Sequence, residues 1–130
     1  MKEKQPLEEG NTLLLQFEKR GGLLPVVVQD IHSREVLMVG YTNKAAFDLT
    51  RETGLAHFYS TSRQKLWKKG ETSGDLLPVR EIRVDCDQDA LLFKVEPVGG
   101  VCHTLDQKGN HRPTCFYRSL ESSRLKHEIA

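Results

Sequence analysis

The sequence predicts an α+β fold: a β-rich single domain of short strands with one clear helix. Three observations lead there. The chain has 130 residues, 38% hydrophobic and 28% charged, which suits one globular core. Short β-branched or alternating runs recur along it, separated by Gly, Pro, Asp and Asn. Only one segment combines helical spacing with a cap at each end.

Taken in order, "TLLLQFEK" over 12–19 has apolar positions compatible with a short helix, ended by Gly21 and Gly22. "PVVVQD" and "EVLMVGY" are buried-strand runs, and "IHSR" between them suits a hairpin connection. "TNKAAFDLTRETG" is the clear helix: Thr42 or Asn43 caps its start and Gly54 closes it. "LAHFYSTS" returns to strand. Residues 63–78, rich in Lys, Gly, Ser, Thr and Asp, read as a long loop. "VREIRVDCD" alternates as a strand, followed by "ALLFKVEPV" and, after Gly99-Gly100, a strand-like "VCHTL". A polar loop then leads to "TCFYRSL", and the last residues, "ESSRLKHEIA" over 121–130, read as helical or frayed.

Nineteen basic residues against eighteen acidic ones leave a net charge of +1, which argues against a general nucleic-acid binder. "MKEKQPLEEG" mixes charges and lacks the apolar run of a signal peptide, and "LLPVVV" is far too short to span a bilayer. A cytoplasmic protein without membrane attachment is expected. In a reducing compartment the three cysteines read as free thiols or metal ligands.

"RVDCDQDALL" sets Asp85, Asp87 and Asp89 at alternate positions around Cys86. On a strand the three carboxylates would share one face and the thiol would take the other. One reading is a solvated acidic edge that discourages pairing with another sheet. An EF-hand is excluded, because Ala90 stands where the loop demands glycine and a strand-like run follows. The remaining reading is a magnesium site, which would also relieve the repulsion among the carboxylates.

Cys86, Cys102 and Cys115 lack the CxxC spacing of a zinc finger, and each alone reads as a small buried hydrophobe. Three thiolates on one zinc would leave a fourth position for water, the pattern of a catalytic site. A base would be needed nearby, and His103 is adjacent in sequence. In "STSRQKLWKKGETSGD", Arg63, Lys65, Lys68 and Lys69 surround Trp67. The segment suits nucleic acid, or a phosphate-binding loop with Ser60, Ser62 and Ser73 as neutral donors, or a solvated loop with Trp67 in the core.

The order "LWKKGETSG", "VDCDQDALL", "CHT", "CFY", with "VLMVGYTNKAAFDLTRETGLAHFYSTSR" upstream, closely resembles the phosphoribosyl-AMP cyclohydrolases of histidine biosynthesis. The likeness covers about residues 23–117 of a single domain over 1–130, with 1–22 and 118–130 flanking it. It implies an intertwined homodimer with zinc shared between subunits, Cys86 coming from one copy and Cys102 with Cys115 from the other. It implies magnesium on Asp85, Asp87 and Asp89. It implies attack of zinc-bound hydroxide on the adenine ring of phosphoribosyl-AMP, opening the N1–C6 bond, with His103 moving the proton. Arg63 and Lys69 would meet phosphates, with Trp67, Glu71 and Ser73 in the same substrate-binding loop. Too few residues follow Tyr117 for the pyrophosphohydrolase domain often fused to such enzymes, so a stand-alone form is expected.

The sequence departs from the family after "CHT", where Leu105 replaces a glycine and a longer loop runs to Thr114, adding His111. Two other readings follow from that loop. One is a hydrolase of another nucleotide or amidine on the same metal scaffold. The other is a non-catalytic, zinc-bound dimeric binding module, in which His111 would close the zinc's fourth position.

Overall fold

A computed structural model describes residues 5–128. The hydrophobic runs build a four-stranded mixed sheet. β1 (Leu24–Asp30) and β2 (Val36–Thr42) form the expected antiparallel hairpin, with Val27 opposite Val39. β5 (Val79–Val84) and β6 (Leu91–Val95) form a second, and β6 joins β1 in parallel, giving the order β2-β1-β6-β5. Alternate residues of the two central strands, Val26 and Val28 of β1 with Leu91, Phe93 and Val95 of β6, point into the core. Each such side chain contributes about 1.5–3 kcal/mol by leaving water.

Helix α1 spans Lys44–Thr53. The Asn43 side chain accepts a hydrogen bond from the Ala46 N–H, so Asn43 rather than Thr42 is the cap, and Gly54 ends the helix in the left-handed conformation. α1 buries Ala46, Phe47 and Thr50. After it, β3 (His57–Ser60) pairs with β4 (Lys65–Lys68). Phe58 of β3 is fully buried, with Trp67 of β4 at 5.2 Å and Phe93 of β6 at 6.2 Å between ring centroids. The long loop expected over 63–78 therefore begins with a strand: Leu66 and Trp67 supply a β-forming centre that flanking charge concealed.

Three further expectations change. Residues 12–16 are not helical, and only Glu18–Arg20 form a 3-10 turn ended by Gly21. The Gln88 side chain holds this strap instead, accepting from Leu14 N–H at 2.6 Å and donating to the Leu7 and Thr12 carbonyls at 3.0 and 3.1 Å. "VCHTL" is not a strand; its backbone is satisfied by the loop that follows, Val101 and Cys102 N–H both donating to the Arg112 carbonyl. The tail is neither helical nor frayed up to residue 128. It forms a hairpin of β7 (Arg118–Glu121) and β8 (Arg124–His127), and residues 129–130 lie outside the described residues. Among the described residues, no helix is long and apolar enough to cross a membrane.

Candidate active site

The acidic motif is a turn rather than a strand face. β5 stops at Val84, and the chain reverses through Asp85–Ala90 with Gln88 at φ 57°. The Asp85 carboxylate drives the reversal by accepting from the Asp89 and Ala90 N–H groups at 2.8 and 3.0 Å. The carboxylates still converge: ligand oxygens of Asp85, Asp87 and Asp89 lie within 4.8 Å of one another. Cys86 is exposed on the same turn.

Distant basic residues also meet this turn, which sequence spacing did not reveal. Lys19 Nζ lies 3.0 Å from Asp89 and 3.4 Å from Asp87, and Arg20 lies 2.9 Å from Asp89. Lys19 foremost, with the neighbouring groups, holds the Asp89 carboxyl well below the usual range. Desolvation pushes Asp85 the other way, against the pull of its two backbone donors. One readily ionised and one reluctant carboxylate, oxygen donors all, suit a hard divalent cation that shares its shell with water.

The second centre is a cleft of about 540 Å³ at the end of the β3–β4 hairpin. Arg63, Trp67, Lys69, Glu71 and Ser73 line it together with Cys102, His103 and Cys115. Sequence-predicted substrate and catalytic residues thus share one wall system. Trp67 does two jobs, half-buried against Phe58 and facing the cleft. The 70–75 turn closes tightly: at Gly70, with φ 86°, any Cβ would run into the Asp75 backbone. Sequence reasoning missed Met38, Val101 and Asp75 as lining residues. Met38 is an ordinary strand residue of β2, and no local signal marks it.

Cys102 and Cys115 lie against each other and respond oppositely. Burial opposes ionisation of Cys102, but the Thr104 hydroxyl at 2.9 Å and Thr104 N–H, with Cys115 and the Arg112 charge, outweigh it and bring the thiol below its ordinary value. Loss of hydration and the neighbouring Cys102 push Cys115 up to about 11. Cys102 therefore gives up its proton more readily than Cys115, and a soft cation that binds thiolates would favour loss of both protons. Lys69 is half-buried beside them, and its desolvation lowers its pKa against the pull of Asp75 and both cysteines.

Cys86 does not join this pair. Among the described residues, the aspartate turn is the only group of three or more metal-ligating side chains whose donor atoms converge. One chain thus brings together two of the three sulfurs, and His111 does not complete a ligand set with them. His111 instead places Nδ1 3.0 Å from the Cys102 carbonyl.

Comparisons with known proteins bear on the family of the chain. The sequence pattern described as phosphoribosyl-AMP cyclohydrolase matches residues 38–117, from β2 through Cys115 to Tyr117. The chain belongs to the phosphoribosyl-AMP cyclohydrolase family. It is 54% identical over 112 residues to the phosphoribosyl-AMP cyclohydrolase of Archaeoglobus fulgidus, covering 86% of this chain and 97% of that one. The phosphoribosyl-AMP cyclohydrolase of Methanosarcina barkeri is 59% identical over 107 residues, 82% of this chain and 77% of its own. That of Erythrobacter litoralis is 50% identical over 119 residues, 92% of this chain and 90% of its own. The family match takes in every cysteine, the aspartate turn and the cleft-lining loop, and ends just before the β7–β8 hairpin.

Proposed function

We propose that this chain hydrolyses phosphoribosyl-AMP, opening its adenine ring at the N1–C6 bond as a step of histidine biosynthesis. Membership of the cyclohydrolase family carries the reading, together with Cys102, His103, Cys115 and the basic 63–73 segment sharing one cleft. A zinc held by Cys102 and Cys115, with Cys86 of a second copy, would supply Lewis-acid activation of water. The separation of Cys86 from the other two within one chain supports a shared site in a homodimer. Magnesium on Asp85, Asp87 and Asp89 would offset substrate phosphate charge.

The chain's own residues then have distinct tasks. Arg63 and Lys69 meet phosphate oxygens as charged donors, with the Ser73 hydroxyl beside them. Trp67 offers a flat apolar face to the base. His103 sits next to buried Cys102 and holds the proton that must reach the departing N1 nitrogen. Glu71 lies where it can accept from a substrate hydroxyl.

The test is purified protein with phosphoribosyl-AMP, zinc and magnesium, followed by the ultraviolet change as the purine opens. A chelator-sensitive rate that vanishes in Cys102→Ala is expected. Mixed Cys86→Ser and Cys102→Ser proteins, each inactive alone, should regain part of the rate if sulfurs come from two copies. No turnover by a folded, zinc-loaded dimer overturns the reading.

A further inference from the structure

The longer loop between Cys102 and Cys115 adds an imidazole to the cleft, and its position is built rather than incidental. His111 is bridged to Leu105 across the loop. Its backbone and Cβ press so closely on Gly100 that any side chain there would collide with them. Its Nδ1 lies 3.0 Å from the Cys102 carbonyl. A carbonyl oxygen only accepts, so Nδ1 carries the hydrogen, and in the neutral ring Nε2 is left with a lone pair. No partner for Nε2 occurs among the described residues.

Beside the carboxylates of Glu71 and Asp75, the rest of the cleft offers mainly donors: Arg63, Lys68 and Lys69 as cations, with serine hydroxyls between them. They suit phosphates. A neutral ring nitrogen that only accepts has a different use, because it selects a ligand group carrying O–H or N–H. Depth decides which. Cys102 is 5% exposed and marks the floor of the cleft, whereas His111 is exposed at the rim, as Cys115 and His103 are. The polyhydroxylated sugar is the part of a nucleotide that lies at such a rim.

We infer that His111 Nε2 accepts a hydrogen bond from a ribosyl hydroxyl of the nucleotide, making His111 a substrate-binding residue that distinguishes ribose from deoxyribose. The inference rests on the proposed nucleotide substrate, and its test is made on binding so that it stands apart from turnover.

The experiment measures binding by calorimetry of AMP, 2′-deoxy-AMP and 3′-deoxy-AMP, and of ribose 5-phosphate and 2-deoxyribose 5-phosphate, to the protein as purified. One ribo form should bind about 5–10-fold more tightly than its deoxy counterpart, the scale of a single hydrogen bond to an uncharged acceptor. His111→Asn keeps an N–H donor for the Cys102 carbonyl but removes the outer acceptor, so the ribo–deoxy difference should shrink to at most what Glu71 supplies. His111→Gln, which restores an oxygen near the Nε2 position, should recover part of the difference. Discrimination that persists unchanged in His111→Asn, or is missing in the wild type, overturns the inference. Discrimination that depends on His111 in a protein without phosphoribosyl-AMP turnover upholds it and rejects the proposed function.

Discussion

Replacing Gln88 by alanine should unfasten the N-terminal strap. The Gln88 side chain is 6% exposed and makes three hydrogen bonds to the strap backbone, at Leu7, Thr12 and Leu14. At about 1 kcal/mol each, their loss puts the destabilisation near 2–3 kcal/mol, at the lower end because the freed strap can rehydrate. The Gln16 N–H bond to the Gln88 carbonyl, at 2.8 Å, survives the substitution. Gln88 also sits at φ 57°, a conformation that costs an alanine about as much as a glutamine but costs glycine little. Gln88→Gly should therefore lose the same bonds yet be about 1 kcal/mol more stable than Gln88→Ala. Urea unfolding gives the stabilities, and amide hydrogen exchange of residues 7–16 reports the strap directly. If Gln88→Ala unfolds within about 0.5 kcal/mol of the wild type and leaves strap exchange unchanged, the clamp argument is wrong.

Two more outcomes follow from burial and charge. Phe58→Ala empties the junction between β3, Trp67 and Phe93, and should cost about 3–5 kcal/mol and red-shift Trp67 fluorescence; an unshifted spectrum would mean Trp67 is held by something else. Because the folded protein holds the Asp89 carboxyl below its ordinary value, its contribution is present above about pH 4 and is lost as pH falls further. Asp89→Asn should flatten the acid limb of stability between pH 5 and pH 2; an unchanged limb would remove Asp89 from the account.

Much of this architecture was legible where local chemistry and burial agree. "PVVVQD" and "EVLMVGY" pair as their β-branched content demands, and Asn43 and Gly54 delimit the helix because their caps need no distant partner. Legibility failed where distant residues decide. Alternation in "VDCDQD" looked like a strand, but aspartate competes for backbone N–H groups and turned the chain at Asp85. Lys19 and Arg20 reach that turn through tertiary folding alone, so the repulsion among the carboxylates has a partial answer inside the chain. The candidate site was legible as residue types: each predicted substrate residue lines the cleft with Cys102, Cys115 and His103. The standing of Cys86 apart from them, and the part taken by Met38, depend on three-dimensional placement that no local pattern encodes.

The loop between the paired cysteines is fastened at its neck. Arg112 N–H donates to the Thr104 carbonyl, and the Arg112 carbonyl receives Val101 and Cys102 N–H. Everything from Leu105 to Asn110 hangs beyond that fastening, turning on Asp106, whose carboxylate accepts from the Lys108 and Asn110 N–H groups. The distance between the two sulfurs is thus independent of how much chain the loop contains. Closing a loop twice as long costs only about 0.6 kcal/mol more. Such a neck makes the segment a place where residues can be gained or lost over evolutionary time without disturbing the sulfur pair, so the rim of the cleft can be rewritten while its floor stays fixed.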